Sequence, residues 1–214
     1  VIGKDVSYKA GDTVMKGFLA YDDAVKAKRA GVLVVPEWWG ANDYARKRAR
    51  MLATEGYVAL VVDMYGNGQV ADNPQDAGAL AGNVNKNPPL ALSRFQAAEH
   101  FLSKQSNVKK GEIAALGYCF GGGVVLNMVR VGEPLKAAIT YHGILATDVS
   151  VKPGSIKTKL RIFTGEADPL VPPEQVEAFR AEMDNAKADY MVVSYPGAKH
   201  TFTNREADSY PGQF

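Results

Sequence analysis

Short, mostly apolar runs alternate along this chain with stretches whose apolar residues recur every third or fourth position. The runs at residues 31–35, 57–63, 113–116, 135–141, 160–164 and 190–195 have the length and β-branched content of strands. Continuous apolarity at 31–35 predicts a central strand covered on both faces. Helical spacing fills the gaps. One helix runs towards Glu55 behind a cap at Asn42 or Asp43 and stops at Gly56. A short helix is expected at 74–84, then a loop at 85–89, then a helix at 90–104 with Leu92, Phe95 and Leu102 on one side. Two more follow: one ending near Val131, and one at 173–187 with Val176, Phe179 and Met183 turned inward. The start of the chain differs. Residues 6–9 and 14–19 break at Gly11-Asp12, which predicts an antiparallel hairpin. The remaining strand–helix alternation predicts an α/β fold: a mostly parallel central sheet, helices on both faces and the N-terminal hairpin at one side. No repeat, low-complexity tract or linker interrupts it, so a single domain over residues 1–214 is expected.

The run at 113–116 leads into Gly117-Tyr118-Cys119-Phe120-Gly121 and out through Gly122-Gly123 into a helix. Strand, sharp turn and helix around Gly-x-Cys-x-Gly match the nucleophile elbow of α/β-hydrolases, with Cys where Ser usually stands. The glycines let strand and helix approach without Cβ clashes. The helix N-terminus favours a thiolate, and a neighbouring imidazole could take its proton. The rival reading is a Cys packed as a small hydrophobe.

Sites in open parallel sheets form beyond the carboxyl ends of the strands. Glu37, Cys119, Asp168 and His200 stand at such ends. The separations are 49 residues from Cys119 to Asp168 and 32 from Asp168 to His200, in the order nucleophile, acid, histidine. His200 would accept the thiol proton and Asp168 would hold the imidazole in one tautomer. The Phe120 N–H, with Trp38 N–H as second donor, would receive the oxyanion. Trp39 and Tyr141 are the further residues expected to line the substrate site. His142 is a rival base and Glu166 a rival acid, whereas His100 falls on the outer side of its helix.

Composition narrows the chemistry. Lys and Arg number 25 against 23 Asp and Glu, for a net charge of +2, so no basic face points to nucleic acid. The basic run at 46–50 reads as a solvated helix face. Cys119 is the only cysteine, which excludes an intramolecular disulfide and a Cys-based metal cage. HExxH, paired CxxC and EF-hand patterns are absent, and Gly121-Gly122-Gly123 lacks the Lys-Ser/Thr of a phosphate loop. No metal is expected. No apolar run approaches the roughly 20 residues that cross a bilayer, so no membrane partner is expected. A first residue of Val1 rather than Met fits a removed signal peptide or a trimmed start. Cytoplasmic and periplasmic or secreted locations both stay open, as do a monomer and a weak homo-oligomer.

With these residues in view, the chain resembles the dienelactone hydrolase family. The matching pieces are Pro36-Glu37-Trp38-Trp39-Gly40, Gly117-Tyr118-Cys119-Phe120-Gly121-Gly122, Gly165-Glu166-Ala167-Asp168-Pro169 with Val171-Pro172, and His200-Thr201-Phe202, together covering roughly residues 6–202. The resemblance implies a Cys-Asp-His hydrolase of esters or lactones that works without a cofactor through an acyl-enzyme. It also implies that Glu37 helps to create the thiolate when substrate binds. Arg205 lies one position beyond the family's carboxylate-binding arginine, where Asn204 stands, and residues 82–89 hold no match for a second arginine and a tyrosine. A small-molecule ester or lactone is therefore the expected partner. A non-catalytic binding protein on the same fold is the alternative, and a thiol sensor built on Cys119 ranks below both.

Overall fold

The computed structural model describes residues 1–209. Its strands are β1 (Ile2–Ala10), β2 (Thr13–Tyr21), β3 (Arg29–Val35), β4 (Val58–Val61), β5 (Val108–Tyr118), β6 (Ala137–Tyr141), β7 (Lys159–Gly165) and β8 (Tyr190–Tyr195). They form one eight-stranded sheet in the order β1-β2-β4-β3-β5-β6-β7-β8, mostly parallel, with the antiparallel hairpin at one edge. The helices are α1 (Asp43–Thr54), α2 (Pro74–Asn85), α3 (Pro88–Ser103), α4 (Phe120–Arg130) and α5 (Pro173–Asn185). The chain divides into two compact units, residues 1–115 and 116–214, with the break inside β5. The last five residues of the second span lie outside the described ones.

In the first unit the apolar runs account for the core. Val32 to Val35 of β3 and all of β4 are buried, and the two strands pair in parallel from Gly31 opposite Val58 to Val34 opposite Val61. Burial on both faces is what an unbroken apolar strand requires. The hairpin pairs β1 with β2 from Ile2 opposite Tyr21 to Ala10 opposite Thr13. β2 then adds antiparallel to β4. Asparagine begins each helix of this unit: Asn42, Asn73 and Asn87 accept the backbone N–H groups of Ala45, Asp76 and Leu90. Residues 88 and 89 therefore belong to α3 and not to a loop. Asn87 supplies the cap, and the prolines behind it occupy positions whose N–H groups a helix cannot use.

In the second unit β6, β7 and β8 pair in parallel, with Ala137 opposite Lys159 and Leu160 opposite Tyr190. Val124, Val125, Leu126, Met128 and Val129 of α4 are buried, as are Val176, Phe179 and Met183 of α5. An ion pair lies among them. Arg130 donates from Nε to Glu182 Oε1 at 2.9 Å and from Nη2 to Oε2 at 2.7 Å. Its remaining donors reach Asn127 Oδ1 and the Leu145 carbonyl. A two-pronged bond of this kind holds a buried guanidinium as a point charge could not.

Candidate active site

The turn between β5 and α4 has the strain that its sequence foretells. Cys119 sits at φ +52°, ψ −118°, in a region that residues with a side chain rarely enter. Neighbouring glycines are required by contact. A Cβ on Gly117 would run into the Gly121 carbonyl, and one on Gly122 would stand 2.6 Å from Gly143 Cα. The Cys119 N–H donates to the Tyr141 carbonyl at 3.1 Å, which ties the turn to the end of β6. The thiol side chain is half-buried. Its residue immediately precedes α4, whose first turn presents the positive end of the helix dipole.

Asp168 and His200 come together. His200 Nδ1 lies 2.7 Å from Asp168 Oδ2, and the two side chains are 2% and 0% exposed. An ionised carboxylate only accepts, so the proton of this bond belongs to Nδ1, and Nε2 is the nitrogen that can exchange one with a substrate or nucleophile. The acid is itself held in place: Asp168 Oδ1 accepts the Leu170 N–H at 2.9 Å. Gly165, at the end of β7, has no room for a Cβ beside the Ala198 carbonyl, so the Asp168 and His200 segments lie in close contact there.

The rivals occupy other places. Glu166 is exposed. His142 is fully buried just past β6, with Nε2 2.9 Å from Thr203 Oγ1 and its ring centroid 5.0 Å from that of His200. Tyr141 stacks between Tyr118 and Phe163, with centroids 5.5 and 4.8 Å away. Arg205 is exposed, while Asn204 is buried and accepts the Glu206 N–H.

Glu37, Trp38 and Trp39 belong to the first unit, in the loop that follows β3. Glu37 is 3% exposed, and its Oε1 has no hydrogen-bond partner among the described residues. Burial pushes its carboxyl up to about 7, opposed by the charge of Arg48 on α1. Arg48 donates from Nε and Nη2 to Tyr44 Oη, whereas Lys47 and Arg50 of the same basic run are exposed. Trp39 is buried and meets Trp38 edge-on at 5.2 Å.

The Trp38 carbonyl accepts the Tyr65 hydroxyl at 2.7 Å. Tyr65 belongs to a loop gathered by Asp63, whose buried carboxylate accepts the N–H groups of Lys16, Tyr65, Gly66 and Gly68 at 2.8 to 2.9 Å. Asp63, Arg48 and Thr203 escaped the reading from sequence. For Asp63 a signal existed, an acid directly ahead of the glycine-rich turn at 66–68. Thr203 and Arg48 carried none.

Among the described residues, no group of three or more His, Cys, Asp or Glu could hold a metal ion, and no helix is long and apolar enough to cross a membrane.

The sheet order, the elbow and the buried acid–histidine pair define an α/β-hydrolase. The family model described as the dienelactone hydrolase family matches residues 15–213, and the chain belongs to that family. Members are hydrolases of the carboxylic-ester and lactone class. Among solved structures, a dienelactone hydrolase-like promiscuous phosphotriesterase from metagenomic libraries is 33% identical with a TM-score of 0.90, over 100% of this chain and 90% of that one. A relative from Escherichia coli (strain K12) named as a carboxymethylenebutenolidase is 30% identical over 191 residues, 84% of this chain and 69% of that protein. The protein called usf from Aquifex pyrophilus is 26% identical over 214 residues, 97% of this chain and 90% of its own.

Proposed function

We propose that the protein hydrolyses uncharged carboxylic esters or lactones through a thioester on Cys119. The single observation behind this reading is the buried bond between Asp168 and His200, in the same compact unit as a cysteine held at positive φ. In the first half-reaction Cys119 Sγ attacks the carbonyl carbon while His200 Nε2 takes the thiol proton. The tetrahedral intermediate collapses, the C–O bond breaks, and His200 returns the proton to the departing alkoxide. Water then attacks the thioester, giving its proton to His200. The C–S bond breaks, the acid product leaves, and the thiol regains the proton. The Phe120 N–H is an oxyanion donor in this scheme. Tyr141 provides apolar contact surface for the substrate.

The preference for uncharged substrates follows from the cations. Arg205 is exposed to solvent, and residues 82–89 offer only Lys86, itself exposed, among their side chains. A substrate carboxylate would lose its hydration without a guanidinium to replace it.

Mass spectrometry of the protein mixed with a slow aryl ester tests the reading. The expected result is an increase by one acyl group, located on Cys119 and absent in Cys119→Ala. Turnover of p-nitrophenyl acetate by Cys119→Ala at the wild-type rate would refute it. Cys119→Ser should lose most of its rate, because an alkoxide is far harder to form than a thiolate. Carboxylated lactones turned over faster than neutral ones would overturn the substrate preference alone.

A further inference from the structure

We infer that His142 and Thr203 form a brace that positions the imidazole of His200. The inference builds on the hydrolase reading but concerns residues which that reading leaves unused. It lies wholly within residues 116–214.

The segment after His200 is a tight turn closed by bonds of its own. Thr201 adopts φ +60°, an unfavourable state for a β-branched residue, and its hydroxyl donates to the His200 carbonyl at 2.7 Å. The Asn204 N–H closes the turn on the Thr201 carbonyl at 2.8 Å. Contacts from outside also hold this turn. Phe202 packs edge-on against Tyr195 and His142, with centroids 5.4 Å away in each case, and against Tyr141 at 6.5 Å. Thr203 Oγ1 lies 2.9 Å from His142 Nε2.

His142 is well suited to act as an anchor. It is fully buried, it sits at φ +42°, and its N–H donates to the Phe163 carbonyl on β7 at 2.8 Å. Its ring meets the His200 ring at 5.0 Å and 66°. One buried imidazole thus touches the other by its face or edge and holds the other's loop by a hydrogen bond. Asp168 fixes His200 from the Nδ1 side, and the brace fixes it from the backbone side. Two constraints of this kind, acting at different places, set both the tilt and the depth of a ring. A proton acceptor out of place by about 1 Å can cost 100-fold in rate.

The test uses Thr203→Val, which keeps the shape and removes the hydroxyl, and Thr203→Ser, which restores it. With p-nitrophenyl acetate we expect Thr203→Val to lose about tenfold to 100-fold in kcat, in line with a displaced proton acceptor. KM and the melting temperature should stay near wild type, and Thr203→Ser should recover most of the rate. A second measurement needs no turnover. The downfield Nδ1–H proton of His200, seen by NMR through its bond to Asp168, should broaden in Thr203→Val and sharpen again in Thr203→Ser. An unchanged proton signal in Thr203→Val overturns the brace, and so does a loss that Thr203→Ser fails to repair. If the wild type turns over no ester, that counts against the hydrolase reading, and the NMR comparison alone decides on the brace.

Discussion

The carboxylate of Asp168 and the Nδ1 of His200 stand 2.7 Å apart in the interior, although 32 residues separate them along the chain. Each reaches the meeting point from the carboxyl end of a different strand, β7 and β8. The bond decides which nitrogen carries the proton. Asp168→Asn should reverse that choice, because an amide can donate to Nδ1 and so favour the unproductive tautomer. On an aryl ester we expect kcat to fall by about 10³-fold or more, with KM little changed and the fold retained. A tenfold loss or less would mean that the carboxylate does not control the tautomer.

Burial of Glu37 should be visible as a dependence of stability on pH. Its carboxyl titrates near 7 in the folded protein against an ordinary value of 4.5, and the cause is burial. An acid whose folded value is raised keeps its proton longer in the folded state than in the unfolded one. Stability from this group is therefore intact below about 4.5, declines as pH rises, and levels off above about 7. The loss at pH 8 is on the order of 3 kcal/mol. Glu37→Gln removes the titration. Its melting temperature should match wild type at pH 4, exceed it increasingly up to about pH 7, and gain little more by pH 8. Parallel curves across that range would count against a buried, titrating Glu37.

Two adjacent glycines of α4 should respond oppositely to alanine. A Cβ on Gly122 would come within 2.6 Å of the Gly143 backbone, which cannot retreat as a flexible side chain could. Gly122→Ala should cost about 1–3 kcal/mol, as overpacking does, and should also disturb the elbow. At Gly123 the nearest atom is the Ile144 carbonyl oxygen at 3.5 Å, an ordinary contact. Gly123→Ala should be neutral or should stabilise by about 0.5–1 kcal/mol through helix propensity. Chemical denaturation of both variants checks the contrast. A Gly122→Ala protein as stable as wild type would show that helix and loop are not tightly packed there.

The ion pair between Arg130 and Glu182 predicts a loss that depends on which change is made. The Arg130 side chain is 1% exposed and that of Glu182 22%. Glu182→Ala leaves a buried guanidinium short of its main partner and should cost about 3 kcal/mol. Replacing both residues by apolar ones of similar volume should cost much less, because no buried charge is then left uncompensated. A double variant as unstable as Glu182→Ala alone would argue that packing, not charge, governs this site.

Much of this architecture could be read from local pattern. Unbroken apolar runs locate β3 and β4, because a strand buried on both faces tolerates no polar interruption, and mostly apolar runs with alternating burial locate β6 and β7. The elbow is legible because Gly117 is required by its contact with nearby Gly121. Order along the chain then picks out Asp168 and His200. What stayed hidden depends on residues distant in sequence. β5 already begins at Val108, but Lys109, Lys110, Gly111 and Glu112 are exposed and give no apolar signal. The contact of His142 with Thr203 spans 61 residues, and that of Arg130 with Glu182 spans 52. Neither has a spacing rule, because only the folded chain brings those donors and acceptors together.

Positive φ at Cys119, His142 and Thr201 has a consequence for anyone breeding this protein for heat tolerance. Glycine relieves such backbone strain, so at these three positions it gains torsional ease while erasing the thiol, the anchor or the hydroxyl. A screen that scores survival at high temperature and nothing else would be drawn to those replacements. It would collect robust proteins whose reactive rim had been dismantled. Each round of selection should therefore demand catalysis along with endurance.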